Sequence, residues 1–360
     1  MSVALCLPGG GLTGALYQVG AIAALEDGLR DAGGGPPNVS LFLGSSSGAT
    51  VAASLAGGIA VSRIYRALLD PVDVFFPLER GHILHLDLDE WNRTLVTAGV
   101  ALRHVFARVA TRKGTGAAGP TSHFVLEQLD RFADSLPAGL FRLDRYERFL
   151  AEFFLRRGVP NAFRAMPRAL RIAASDLDSG ARVMFGSDDA EQVPVSLACA
   201  ASLALPMFFS PMRVGDHHYL DGELGHVAHL DVAADMGRKL AIVVNPLVPL
   251  ATAQRSVPTG HGARESVRDK GLLWVVNQAL RIGAHARLAQ EVAHARRQGL
   301  PVLVVAPEPG DVMLFLHNPQ NFEARRAILE HAYKTTRERI TRWTEHDKHA
   351  LTAGALVPAP

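Results

Sequence analysis

The 360-residue chain has only two cysteines, Cys6 and Cys199, both in apolar surroundings. That excludes a disulfide framework and points to buried free thiols in a reducing compartment. It also lacks an excess of either charge: 37 Lys and Arg stand against 35 Asp and Glu, a formal net charge of +2. The basic footprint of a nucleic-acid partner is therefore missing. No apolar run approaches the roughly 18–20 residues that a membrane span needs. Nor does a basic segment precede "VALCLP", so no secretion signal is expected. These absences leave a cytoplasmic protein whose contact with a membrane is at most peripheral. What is present, 48% apolar and 20% charged residues, is ordinary for a folded globular chain.

The order of elements predicts an α/β fold, a mainly parallel sheet flanked by helices. "SVALCL" reads as a short buried strand, "LPGGGLTG" as a glycine turn and "ALYQVGAIAALEDGLRD" as a helix stopped by Gly33–Gly35. "NVSLFLGSSSGATVAASLAGG" repeats the scheme, with a strand over 39–43, a tight turn and a small-residue helix. Sheet signals then lapse, which predicts a helical cap or insertion over about 71–165, with helices near 121–136 and 144–157 and a loop at 111–122. "RALRIAASDLDSGARVMFG" predicts two strands joined at Asp178-Ser179-Gly180. Beyond it come a helix near 194–203, the extended stretch "MRVGDHHYLDG" and a helix near 227–237. Strands at 239–246 and 300–307 enclose a long helical stretch over 265–298, and a last helix covers 321–346. One domain over 1–310 is expected, with a helical extension packed on it over 311–350 and a disordered tail over 351–360.

Gly9-x-Gly11-x-x-Gly14 has the form of a dinucleotide-binding turn, which needs an acidic residue about 20 positions on, at the end of the second strand. None is there: the second strand ends in Leu43-Gly44-Ser45-Ser46, and Glu26, Asp27 and Asp31 fall in the intervening helix. The competing reading is an oxyanion hole, with the backbone N–H groups of Gly10, Gly11 and Leu12 as donors at a helix N-terminus. Its partner would be Gly44-Ser45-Ser46-Ser47-Gly48, a G-x-S-x-G placed after a strand and before a helix, as a nucleophile elbow requires. A Ser/Gly turn with a serine cap is the plainer alternative.

A nucleophilic serine needs a base. Of the 15 histidines, His82, His85, His104 and His123 fall in the suspected cap, and His285 and His294 lie on the long helix. His217, His218, His226 and His229 sit near "HHYLDGELG", whose Asp221-Gly222 could face the serine from a strand end or could be a plain turn.

Together these segments resemble the patatin-like phospholipase family. The resemblance rests on the glycine loop Gly9–Gly14, on Gly44–Gly48, on "AASDLDSGARVMF" (173–185) and on "SLACAASLALPMFFSPMRVGDHHYLDGE" (196–223). It implies an acyl hydrolase with a Ser–Asp dyad and no histidine: Ser46 as nucleophile, Asp221 as base, Gly10, Gly11 and Leu12 as the oxyanion hole, and Gly9, Gly14, Gly44, Gly48 and Gly222 as motif support. No metal or cofactor is implied, and the partner is a lipid or another acyl ester. Two positions depart from the family pattern. Thr13 stands where the family loop usually carries Arg or Lys, and Glu223 follows Asp221-Gly222, where it either raises the Asp221 pKa or points to solvent.

"LALPMFFSP" (203–211) is expected either to line an acyl-chain groove or to be ordinary core. The helix 272–299 either rests on a membrane surface or packs on the sheet. A dinucleotide-dependent oxidoreductase and a lipid-binding module without turnover are the rival functions.

Overall fold

A computed structural model describes residues 2–31, 37–86, 88, 91–100, 103, 130, 133–134, 136–251, 257–259, 262–264, 266–308, 311, 314 and 322–342. The loop expected at 111–122, most of the helix expected at 121–136 and the tail 351–360 lie outside these residues. Strand β1 (Val3–Leu7) is buried along its whole length, as the centre of a parallel sheet demands. A turn leads into helix α1 (Gly11–Asp31), and β2 (Val39–Gly44) leads into α2 (Ser47–Ala56) and then α3 (Val61–Leu69). Helix α4 (Asp144–Arg157) precedes β3 (Ala169–Asp176) and β4 (Arg182–Phe185). Helix α5 (Val195–Ser202) follows, then β5 (Met212–Val214) and β6 (His217–Asp221). Helix α6 (Leu230–Asp235), β7 (Leu240–Val244), α7 (Leu272–Arg297), β8 (Val302–Val305) and α8 (Phe322–Arg342) complete the fold.

The strand order is β8-β7-β1-β2-β3-β6-β5, with β4 paired to β3. From β8 to β3 neighbours run parallel, while β4 and β6 run antiparallel to β3. Side-chain alternation sends Val3, Leu5 and Leu7 into one core with α1, α2, α4, α5 and α8. It sends Ala4 and Cys6 into a second core with α6 and α7, so helices cover both faces. The fold is the expected α/β/α arrangement of a mainly parallel sheet.

Helix α4 buries Tyr146, Leu150, Phe153 and Phe154 in the first core. Just before it, Gly139–Arg142 pairs with His85–Leu86 on one side and with Met207–Phe209 on the other, forming a small three-stranded sheet. The stretch expected to be helical over 265–298 is broken at Gly271, whose φ of 95° separates a short 3-10 turn (Val267–Lys270) from α7. Among the described residues no helix is long and apolar enough to cross a membrane.

Candidate active site

Strand pairing brings the serine and the aspartate together. On β3, Ile172 pairs with Gly44 of β2 and Ala174 with Asp221 of β6. Both Ile172 and Ala174 also pair with β4 on the other side, so β2 and β6 must share one edge of β3. One runs parallel and the other antiparallel to β3. Their C-terminal ends therefore meet head to head, two residues apart, with Ser46 just past one and Asp221 at the other.

Ser46 lies on the tight turn between β2 and α2 at φ 51° and ψ −131°, a conformation rare for a residue with a Cβ. Its surroundings hold it there. The Ser46 N–H donates to Ser202 Oγ (2.8 Å), and the Ser45 N–H donates to the Leu7 carbonyl (3.1 Å). A Cβ on Gly48 would fall 2.0 Å from the Leu7 carbonyl oxygen, so only glycine lets α2 seat against β1. Gly44 is equally confined, its Cβ position 2.6 Å from Ala49 Cα. The glycine loop touches the turn directly: a Cβ on Gly9 would fall 2.4 Å from Ser46 Cβ.

Asp221 is buried, with its N–H donating to the Ala204 carbonyl (2.9 Å) and its carbonyl accepting from Ser175 Oγ (3.0 Å). Its carboxylate accepts a hydrogen bond from the Glu223 N–H (3.0 Å), and the nearby Ser46 side chain favours its charged form. Burial pushes its pKa up to about 6, against the lowering effect of these two neighbours. Gly222 donates to the Ser202 carbonyl (3.3 Å) and lies so close to Ala173 that a Cβ would fall 2.3 Å from its oxygen. The C-terminal end of α5 thus ties both halves of the pair.

Glu223 turns inward rather than to solvent. Its Oε1 accepts hydrogen bonds from the Gly9 N–H and from Ser45 Oγ. Burial first, and then the neighbouring Asp221 charge, raise its pKa well above the ordinary carboxylate range.

Gly10 and Gly11, at φ 124° and 66°, turn the chain into α1. The first-turn N–H groups of that helix, from Gly11 onward, have no partner within the helix and sit at its positive end. Thr13 Oγ1 donates to the Gly10 carbonyl (3.2 Å), and Gly14 donates to the same oxygen (3.1 Å). Gly11, Leu12 and Ser47 reach a cavity of ≈ 210 Å³ whose other walls are largely apolar, including Leu16, Phe76, Ile83 and Phe153. Of the segment 203–211, Leu203 and Phe209 line this cavity, whereas Met207 is half exposed.

Helix α7 packs Ala284, Leu288 and Ala295 onto the sheet. Two of its basic residues turn towards the site. The buried Arg281 donates to the Pro246 carbonyl (2.9 Å), and Pro246 packs on Gly10. Arg287 donates to the Glu223 carbonyl (3.2 Å). No local sequence signal marks these contacts.

Among the described residues no histidine hydrogen-bonds Ser46 or Asp221. His217 pairs with Asp176 (3.1 Å) and His218 with Asp178, while His229 is buried with its pKa pushed down to about 3, chiefly by burial. Asp176, Asp178 and His217 hold ligand atoms within 4.8 Å of one another. Asp176 Oδ1 there already accepts the N–H groups of Asp178 and Ser179, so this carboxylate shapes the turn between β3 and β4.

Residues 5–233 match the family model described as patatin-like phospholipase. The chain belongs to this family. No curated protein matches it. Among solved structures it is similar to VipD from Legionella pneumophila, with 15% identity and a TM-score of 0.40, covering 94% of this chain and 66% of that one. It is also similar to the ExoU–SpcU complex from the type III secretion system of Pseudomonas aeruginosa, with 18% identity and a TM-score of 0.37, covering 95% of this chain and 51% of that one. The chain thus spans between about half and two thirds of the length of these chains.

Proposed function

We propose that this member of the family is a lipid acyl hydrolase that cleaves carboxylic esters through an acyl-enzyme on Ser46. The observation that carries the reading is the head-to-head meeting of β2 and β6, which sets the Ser46 turn against the buried Asp221 carboxylate beside an apolar cavity. Asp221 accepts the Ser46 proton as Oγ attacks the ester carbonyl, and the N–H groups of Gly10, Gly11 and Leu12 hold the oxyanion. Collapse expels the alcohol, which takes the proton from Asp221. Water then attacks the acyl-enzyme with Asp221 again as base. A pKa of about 6 leaves this carboxylate ionised at neutral pH yet more basic than a free one.

The apolar cavity suits the acyl chain of a lipid ester, and membership of the patatin-like phospholipase family favours a phospholipid or lysophospholipid. A pyrophosphate at the glycine loop would meet the Ser46 side chain and the Glu223 carboxyl already packed on Gly9, which disfavours the dinucleotide alternative. A module that binds lipid without turnover would show no hydrolysis of a short-chain ester. The test is covalent labelling by a fluorophosphonate with ester turnover measured in parallel. Ser46→Ala is expected to lose both; labelling that survives this substitution removes Ser46 as the nucleophile.

A further inference from the structure

The reaction above leaves one carboxyl of the site without a part. Glu223 Oε1 sits between the glycine loop and the serine turn, accepting from the Gly9 N–H and from Ser45 Oγ (3.3 Å). The Cβ position of Gly9 lies 2.8 Å from Ser46 Oγ and 3.0 Å from Glu223 Oε1, so the serine oxygen and this carboxyl oxygen border one small space. The Glu223 backbone is tied on both sides, its N–H donating to Asp221 Oδ1 and its carbonyl accepting from Arg287.

We propose that Glu223 is a positioning residue of this site: its carboxyl braces the Gly9 peptide behind Ser46, and its charge governs how the reaction responds to alkaline pH. The proposal rests on the reading of Ser46 and Asp221 given above.

Among the described residues, three ionisable groups bear on Glu223. Asp221 faces it from the end of β6, and Arg287 and Arg281 face it from α7. Glu291 of α7 is turned away, accepting the N–H groups of Val227 and Ala228. Burial and the Asp221 charge favour the protonated form of Glu223, against the Gly9 and Ser45 hydrogen bonds and the Arg287 charge. Ser45 Oγ lies equally close to the Val227 carbonyl (3.3 Å), so the Gly9 N–H is the fixed donor to Oε1. When Glu223 ionises, a second negative charge appears beside the loop whose N–H groups must hold the oxyanion, and like-charge repulsion opposes the transition state.

The test measures the rate of fluorophosphonate labelling and kcat/KM on a soluble butyrate ester across pH, for the wild type and for S46A, E223Q and E223A. The wild type is expected to rise through about pH 6 as Asp221 ionises and to fall on the alkaline side. E223Q, a neutral near-isostere, is expected to keep the acid limb, lose the alkaline limb and stay within about threefold of the wild type at neutral pH. E223A loses the brace and is expected to be about tenfold slower or worse at every pH. Should E223A fail to fold, E223Q decides. An unchanged alkaline limb in E223Q, or wild-type rates in a folded E223A, overturns the proposal while S46A-sensitive labelling leaves the Ser46 reading intact. A wild type that does not label, or S46A that labels as well as the wild type, removes that reading, and the proposal falls with it.

Discussion

The two faces of the sheet treat Ser46 differently. On the α1, α2 and α4 side the serine turn borders an apolar cavity whose polar groups largely satisfy one another. There the Thr50 and Tyr146 hydroxyls share a hydrogen bond (2.7 Å), and Ser54 Oγ donates to the Thr50 carbonyl (2.8 Å). The α7 side instead crowds Asp221, Glu223, Arg281 and Arg287 behind the same turn. In the proposed reaction the apolar side selects a chain by burial, and the charged side governs where protons sit. The largest expected effects separate the two. Ser46→Ala or Asp221→Asn is expected to lower ester turnover by roughly 10⁴-fold or more. A residual rate close to wild type in either variant, followed with a chromogenic ester, would break the division.

Asp221→Asn sharpens the comparison a second way, through stability. Folding raises the Asp221 pKa, so the native state holds the proton more tightly than the unfolded chain does. The contribution is therefore fully stabilising below the ordinary carboxylate range and is lost as pH climbs through about 6. At neutral pH the buried charge costs on the order of 2–3 kcal/mol. The Asp221→Asn protein is expected to melt several degrees above the wild type at neutral pH. The gap should narrow on acidification and close below about pH 3, where the wild-type carboxyl is neutral in both states. Equal melting temperatures across that range would show that the site has solvated its charge.

The cavity side makes the next largest prediction. Ala15 lines the cavity from α1, where Phe would occupy space available to an acyl chain. Each methylene excluded costs about 0.8 kcal/mol, or roughly fourfold in KM. Ala15→Phe is thus expected to raise KM in steps with chain length while short-ester turnover changes little. A uniform loss across a chain-length series would mean that the substrate does not enter this cavity.

How far these features were legible in the sequence depended on how local they are. Gly9–Gly14 and Gly44–Gly48 each follow a buried strand and open a helix, so their placement and the α/β/α class could be read from periodicity and turn chemistry. The Asp221 turn was visible, but its approach to Ser46 comes from β3 registering with β2 and β6 at Ile172 and Ala174, pairings of long sequence separation. Glu223 was ambiguous for the same reason: its acceptor role depends on Gly9, 214 positions away. The cavity walls at Ile64, Phe76, Tyr146 and Phe153 come from segments that carry no shared motif. Arg281 and Arg287 carry no motif of their own, because their partners at the site are backbone carbonyls, which composition cannot reveal.

The smallest effect concerns the rim of the apolar side. Arg157, near the cation-favouring C-terminus of α4, donates to the carbonyls of Val74 (3.0 Å) and Phe75 (2.8 Å). Its guanidinium lies 4.4 Å from the centroid of the Phe75 ring, and Arg63, paired with Asp73, lies 4.2 Å from it. This clamp fixes the loop that carries Phe76 and Leu78 into the cavity wall. Arg157→Ala removes exposed hydrogen bonds and one cation–π contact, together about 1 kcal/mol. The expected result is a two- to threefold rise, roughly, in KM for long-chain esters alone, with fluorophosphonate labelling of Ser46 unchanged. If labelling slows in step with long-chain turnover, the loop supports the serine turn itself and the two sides are less independent than their chemistry suggests.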